Sequence, residues 1–221
     1  AGEGKSAVQK VDRHRHSDLA PKNQTREPLS PHSRIMHAVI DDFAPTGLVR
    51  SLAATWLPID SPHWHVYGNG KLATKDPSRL PVAAHGLLAK MAEIPIGELL
   101  AVPGTFPDLE YLHGAGLHHM PAGATLGLHL DSERHPQLPW RREVSAVLYL
   151  DDAIGGELEL CDEHGRTITQ IVSKSNRLVV FSTPHQWHRV AECRSVRRSL
   201  CLFFWGTDAA ATGFTQAQFR E

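Results

Sequence analysis

The sequence predicts a mainly β fold of the α+β class, an antiparallel double-sheet jelly roll braced by N-terminal helices. Two observations carry this prediction. Helical spacing is confined to segments before residue 102, and from Tyr111 onward eight short apolar segments alternate with turns and leave no room for helices between them. Helices first and strands after suggest one domain in which the helices pack on a β-core. A chain of 221 residues is long enough for one sizeable core with an appendage.

In chain order, residues 1–34 are polar, poor in aliphatics and without a sustained period, which is the composition of a flexible arm. Residues 35–221 read as the folded domain. It opens with "RIMHAVIDDFAP", where Val39 and Ile40 sit in a β-prone run closed by Asp41, Asp42 and Pro45. In "TGLVRSLAATW", Leu48, Leu52 and Trp56 recur at helical spacing. "SPHWHVYGNGKLATKDPSRLP" reads as a loop around a Gly-Asn-Gly turn. "VAAHGLLAKMAEIPIGELLA" reads as a helix interrupted at Pro95. The eight strand candidates follow: "GLHHM", "TLGLHL", "VSAVLYL", "GELELC", "TITQIV", "RLVVF", "QWHRVAE" and "RSLCLFFWG".

Bulk properties narrow the function. A net charge of -1 disfavours broad electrostatic binding to nucleic acid or to anionic membranes. No apolar run approaches a membrane span, and the polar N-terminus has no apolar h-region, so neither a span nor a signal peptide is expected within this sequence. Cys161, Cys193 and Cys201 are odd in number and lack paired spacing, which fits a reducing compartment and a cytoplasmic location. Oligomeric state stays open. The outlying number is 15 histidines, the commonest metal-ligand type.

Among these, "LGLHLDSE" places His129 and Asp131 two residues apart in an alternating apolar run, hence on one face of a strand. The pairing alone is weak evidence, because His16 and Asp18 repeat it by chance in the polar arm. Its company strengthens it. "FSTPHQWHRV" brings His188 on another short strand, and two histidines with one carboxylate on a β-scaffold form the facial triad of non-haem Fe(II). Zinc hydrolases can use the same ligands. Nine residues after His188, Arg197 opens the apolar strand "RRSLCLFFWG". A buried guanidinium there needs a carboxylate, and with no obvious acid nearby a ligand such as 2-oxoglutarate would supply it. The plainer alternative is a strand-end arginine reaching back to water.

These residues resemble the Fe(II)/2-oxoglutarate dioxygenases, specifically the prolyl 4-hydroxylase-like branch, over roughly residues 35–206 and most densely over 112–206. "GLHHMPAGATLGLHLDSE" resembles the strand–turn–strand that delivers the His-x-Asp pair, with Gly123 at the turn. "RREVSAVLYLDD" resembles the next strand, whose tyrosine, here Tyr149, helps bind 2-oxoglutarate. "IGGELELCD" resembles the Gly-Gly hairpin at Gly155 and Gly156, and "RRSLCLFFW" the segment with the 2-oxoglutarate arginine. The resemblance implies a double-stranded β-helix and Fe(II) held by His129, Asp131 and His188. It implies 2-oxoglutarate clamped by Arg197 and Tyr149, with Arg198 the alternative by a shift of one, dioxygen as co-substrate, and ascorbate as a candidate reductant.

One departure stands out. Met120 occupies the place where many relatives carry a tyrosine near the cofactor. Arg142 lies where relatives often have an arginine at the pocket mouth, a candidate for substrate contact. Trp64 and His65, with His63 and Tyr67, are candidates for a lid over substrate; His135 and His185 are candidates for the entrance. The implied reaction is hydroxylation of a C–H bond with release of succinate and CO2, on a peptidyl proline or related peptide residue. The alternatives are the same chemistry on a small molecule, such as a free amino acid or natural-product intermediate, and a cupin-like binding module without turnover.

Overall fold

Why does the chain after residue 111 pair as it does? Its strands are short and apolar on both faces where they cross the centre, and that pattern suits strands buried between layers. In the computed structural model, described here for residues 37–131, 134–184, 186–207 and the backbone of 218–219, the elements run as follows. Strand β1 (His37–Ile40) is followed by helix α1 (Thr46–Ala54), the hairpin β2 (Trp64–Val66) and β3 (Leu72–Thr74), and helices α2 (Val82–Ala92) and α3 (Ile96–Leu99). Then come β4 (Phe106–Pro107), β5 (Gly116–Met120), β6 (Leu126–Leu130), β7 (Trp140–Tyr149), β8 (Leu158–Cys161) and β9 (Thr167–Ile171). Last are β10 (Leu178–Ser182), β11 (Trp187–Val190), β12 (Arg197–Thr207) and β13 (Gln218–Phe219). The predicted arm, residues 1–34, and with it His16 and Asp18, lies outside the described residues, as does His185.

All eight predicted strands form, and they divide between two antiparallel sheets. The larger is ordered β1-β10-β7-β12-β5-β3-β2, with β4 also paired to β12. The smaller is ordered β13-β6-β11-β8-β9. This is the jelly roll the sequence predicts. Helices α1 and α2 pack on the outer face of the larger sheet. There Leu52, Leu87, Leu88 and Met91 join Leu148, Leu178, Leu200 and Leu202 in one core, all fully buried or nearly so. Each such side chain contributes roughly 1.5–3 kcal/mol. The long helix ends at Ala92 because Pro95 biases the preceding residue away from helical angles.

One expectation is corrected. The segment from Ser61 to Pro81 is not simply a loop: it carries the β2–β3 hairpin, with Trp64 paired to Thr74 and Val66 to Leu72. Its strands are only three residues long, so their pairing depends on β5 beside them, where Leu72 and Ala73 register with His119 and His118. No helix among the described residues is long and apolar enough to cross a membrane.

Candidate active site

Strand pairing assembles the His-Asp-His group. Strands β6 and β11 are antiparallel neighbours in the smaller sheet, and His188 registers directly opposite His129. Directly opposed residues of a pair point to the same face, and their rings stand 4.1 Å apart between centroids. Asp131, just past the end of β6, is two residues from His129 and returns to that face. One donor atom from each of the three residues falls within 4.8 Å of the others. His129 Nε2 is 3.4 Å from Asp131 Oδ1, and His188 Nε2 is 3.7 Å from Asp131 Oδ2. The Nδ1 atoms are turned the other way, toward the carbonyls of Gly127 (2.8 Å) and Gln186 (3.0 Å). A backbone carbonyl on Nδ1 sets the tautomer and aims Nε2 at a metal.

The electrostatics suit a cation. Burial alone would raise the Asp131 carboxyl, but the hydrogen bond with His129 and the charges of His188 and Arg142 outweigh it and hold the group well below the usual carboxylate range. Burial, then the neighbouring His129, pushes His188 down to about 4. An ionised carboxylate beside a neutral imidazole is the donor state a divalent ion needs. Asp131 is held from behind by the Ser145 hydroxyl, which donates to Oδ2 at 3.1 Å, and by Arg142 at 3.8 Å. Neither support was identifiable as such in the sequence, because both come from β7, in the other sheet.

A cavity of about 600 Å³ opens from this group between the two sheets. At one end stands Arg197, 5 % exposed. Its Nη2 donates to the Tyr149 hydroxyl at 3.1 Å, its Nη1 lies 3.5 Å from Met120 Sδ, and its Nε has no hydrogen-bond partner. No carboxylate among the described residues pairs with it. Tyr149 is wholly buried and reaches the cavity only through Arg197. Met120 sets a thioether against the guanidinium, a weak acceptor that leaves its charge available. Arg198 points to the opposite face and pairs with Asp151, Nη2 to Oδ1 at 2.7 Å, and with the Ala53 carbonyl at 3.1 Å. A buried cation with an orphaned N–H fits the distal carboxylate of 2-oxoglutarate, and the donor set fits Fe(II).

The remaining expectations divide. Arg142 lines the cavity, stacked 3.5 Å over the Phe203 ring. Trp64 and His65 do not reach the lining. Trp64 is 3 % exposed, donates Nε1 to the Pro58 carbonyl at 2.8 Å and packs on Trp56, while His65 faces solvent against Tyr67. In their place the hairpin contributes Tyr67 and Lys71. His135 is buried among Tyr111, Trp140 and Trp205 instead of standing at the entrance. His118 and His119 face opposite sides as alternation requires: His118 toward the cavity against Cys201 Sγ at 3.2 Å, His119 toward Trp64.

Fold and site together suit an oxygenase of the non-haem iron, keto-acid-dependent class. The family model of the 2OG-Fe(II) oxygenase superfamily matches residues 115–205, the span that holds most of the cavity wall and all the proposed iron and 2-oxoglutarate residues. Among solved structures, a prolyl-4-hydroxylase of Pseudomonas putida is similar at 28% identity and a TM-score of 0.59, over 78% of this chain and 93% of that one. A prolyl hydroxylase of Trichoplax adhaerens, solved with a hypoxia inducible factor peptide fragment, is similar at 16% identity and 0.57, over 77% and 83%. A 2OG-Fe(II) oxygenase family oxidoreductase of Burkholderia pseudomallei is similar at 19% and 0.52, over 80% and 89%. The last two speak for the fold alone. No curated protein matches the sequence. Over residues 115–205 the chain is similar to the 2OG-Fe(II) oxygenases, and it resembles the prolyl 4-hydroxylase-like branch; this supports an enzyme whose cofactors are Fe(II) and 2-oxoglutarate.

Proposed function

We propose that His129, Asp131 and His188 hold the iron, that Arg197, oriented by Tyr149, holds the distal carboxylate of 2-oxoglutarate, and that the enzyme hydroxylates a prolyl or related residue of a peptide. The single observation that carries this is Arg197. It is a buried guanidinium with an orphaned N–H, facing a cavity that also presents the His-Asp-His group. A binding module without turnover would gain nothing from such a cation, which is costly to bury unpaired. When bound, iron and 2-oxoglutarate supply the oxidising power, with succinate and CO2 as the products of the keto acid and one oxygen atom delivered to the substrate C–H bond.

The chain's own part is to bind, orient and exclude water. Gly127 and Gln186 fix the imidazoles through their carbonyls, Ser145 and Arg142 keep Asp131 ionised and in place, and the apolar walls from Val147, Leu158 and Phe181 keep the centre dry. The resemblance to the Pseudomonas putida prolyl-4-hydroxylase supports a prolyl substrate. The test is anaerobic reconstitution with Fe(II) and 2-oxoglutarate, then exposure to dioxygen with proline-containing peptides or with free proline, with and without ascorbate. Peptide-stimulated succinate with an added oxygen atom on the peptide is expected. Stimulation by free proline alone would move the substrate to the small-molecule class.

A further inference from the structure

Among the described residues, the cavity carries more positive charge than its cofactors can neutralise. Among its described lining residues, Lys71, Arg142 and Arg197 are cations and Asp131 is the one carboxylate. The lining histidines His113, His118, His129 and His188 add no negative charge. A divalent iron and a doubly ionised 2-oxoglutarate would cancel one another, so among the described residues the excess of two positive charges would persist with both bound. In a low-dielectric, largely apolar space such an excess is costly unless something anionic enters.

Two of the cations are already engaged. Arg197 stands at the Tyr149 end, and Arg142 leans on Asp131 at 3.8 Å and on the Phe203 ring. Lys71 differs. It comes from the β2–β3 hairpin, beside Tyr67, Gly68 and Asn69 of the same wall. Among the described residues its ammonium has neither a hydrogen bond nor a carboxylate partner, only the Tyr67 ring at 5.4 Å. Lys71 lines the cavity together with Asp131, Cys201 and His118, on three other strands or strand ends, so it faces inward, where burial lowers its ammonium pKa from the ordinary value. A lysine on the solvent side of a hairpin would instead reach water.

We infer that the substrate is an anion, and that Lys71 receives a substrate carboxylate while the reacting C–H bond faces the His129–Asp131–His188 group. This rests on the site assignment above and adds the chemical class of the substrate. The carboxylate has two sources of the same chemistry, the α-carboxylate of a free amino or imino acid and an acidic side chain next to the reacting residue of a peptide. Lys71 is thereby a specificity-determining residue, contributed by an element outside the β-core that holds the iron group.

The experiment is anaerobic calorimetry on the full chain. First 2-oxoglutarate is titrated into the Fe(II)-loaded protein, then two matched pairs into the doubly loaded protein. The pairs are N-acetyl-L-proline against N-acetyl-L-prolinamide, and the blocked peptide Gly-Pro-Glu-Gly against Gly-Pro-Gln-Gly. In at least one pair the carboxylate member is expected to bind about tenfold tighter or better, the equivalent of one charge-assisted contact. The pair that discriminates identifies the source. Lys71→Met is expected to bring the ratio close to unity and Lys71→Arg to restore most of it. A ratio within one variant is insensitive to general loss of stability, so a merely structural lysine would leave it unmoved. Binding of 2-oxoglutarate without discrimination in either pair, or discrimination that survives in Lys71→Met, overturns this proposal alone. Failure of 2-oxoglutarate to bind overturns the site assignment and this proposal with it.

Discussion

The two faces of strand β12 are built on opposite terms. On the face toward the helices, Arg198, Leu200, Leu202 and Phe204 meet a closed surface: the leucines and phenylalanine are buried in the helix-backed core, and Arg198 finds Asp151 and a carbonyl within the protein. On the other face, Arg197, Ser199, Cys201 and Phe203 line the cavity. The two arginines are adjacent in sequence, yet one is neutralised by the chain and the other is left with a tyrosine hydroxyl and a thioether. A buried group that the protein itself satisfies belongs to the fold, whereas one that it leaves unsatisfied belongs to a ligand.

The harshest way to break this contrast is to empty the open face. Asp131→Ala should abolish iron-dependent succinate formation and weaken Fe(II) binding by more than about 100-fold. Loss of a mere supporting hydrogen bond already costs 10–100-fold, and here the charge itself is removed. Anaerobic metal titration measures this, and a variant that retains iron would exclude Asp131 as a ligand. Next comes the arginine pair. Arg197→Ala should raise the 2-oxoglutarate concentration needed for half-maximal turnover about 10- to 100-fold, the loss of a charge-assisted contact of about 1.5–3 kcal/mol. Arg198→Ala should instead cost about 1–3 kcal/mol in denaturant unfolding, because it strands Asp151 and the Ala53 carbonyl. The opposite assignment of the two phenotypes would reverse the reading of β12.

A finer probe is Gly156, which sits beneath Arg197 with φ +66; an added Cβ there would lie 2.9 Å from Arg197 Cδ and 2.7 Å from Cys193 Sγ. Gly156→Ala should lower stability by about 1–2 kcal/mol for the left-handed backbone and also raise the 2-oxoglutarate requirement several-fold, roughly a one-kcal/mol displacement of the guanidinium. An unchanged requirement would show that the arginine tolerates the shift.

The smallest effect belongs to neither face. The hydrogen bond from Arg177, then that from Lys174, holds the exposed Asp41 carboxyl far below its ordinary value. The folded state therefore prefers the ionised form. That contribution is complete above the ordinary carboxylate range, near pH 4, and fades as pH falls through the depressed folded value. Asp41→Asn should melt slightly earlier than the wild type at pH 7, with the gap narrowing below about pH 4. A gap that widens in acid would contradict the sign.

The eight strands from "GLHHM" to "RSLCLFFWG" were legible in the sequence because alternation and turn residues are local properties. So was the candidate pair His129 and Asp131, since i and i+2 on a strand share a face whatever surrounds them. That His188 completes the group also has a local signal, a histidine in a short strand, but its place opposite His129 is a matter of register between β6 and β11. The hairpin β2–β3 was not legible: its strands, three residues each, are too short to show a period, and β3 pairs on the edge that β5 offers. With it went the misreading of Trp64 as a lid residue and the omission of Lys71. Ser145 could not be found either, for its role as a support is set by the approach of β7 to the end of β6 across the cavity.

What the sequence by itself determined is the eight strands after Tyr111 and the residue types able to hold iron and a carboxylate. Only the tertiary structure decided which of two adjacent arginines faces the cavity, which buried polar groups the protein satisfies internally, and that an unpartnered lysine from outside the β-core looks inward. The physical reason is range. Side-chain periodicity follows from the backbone of a few residues, whereas the balance of charge in a cavity is a sum over elements far apart in the chain, which meet only when the sheets close.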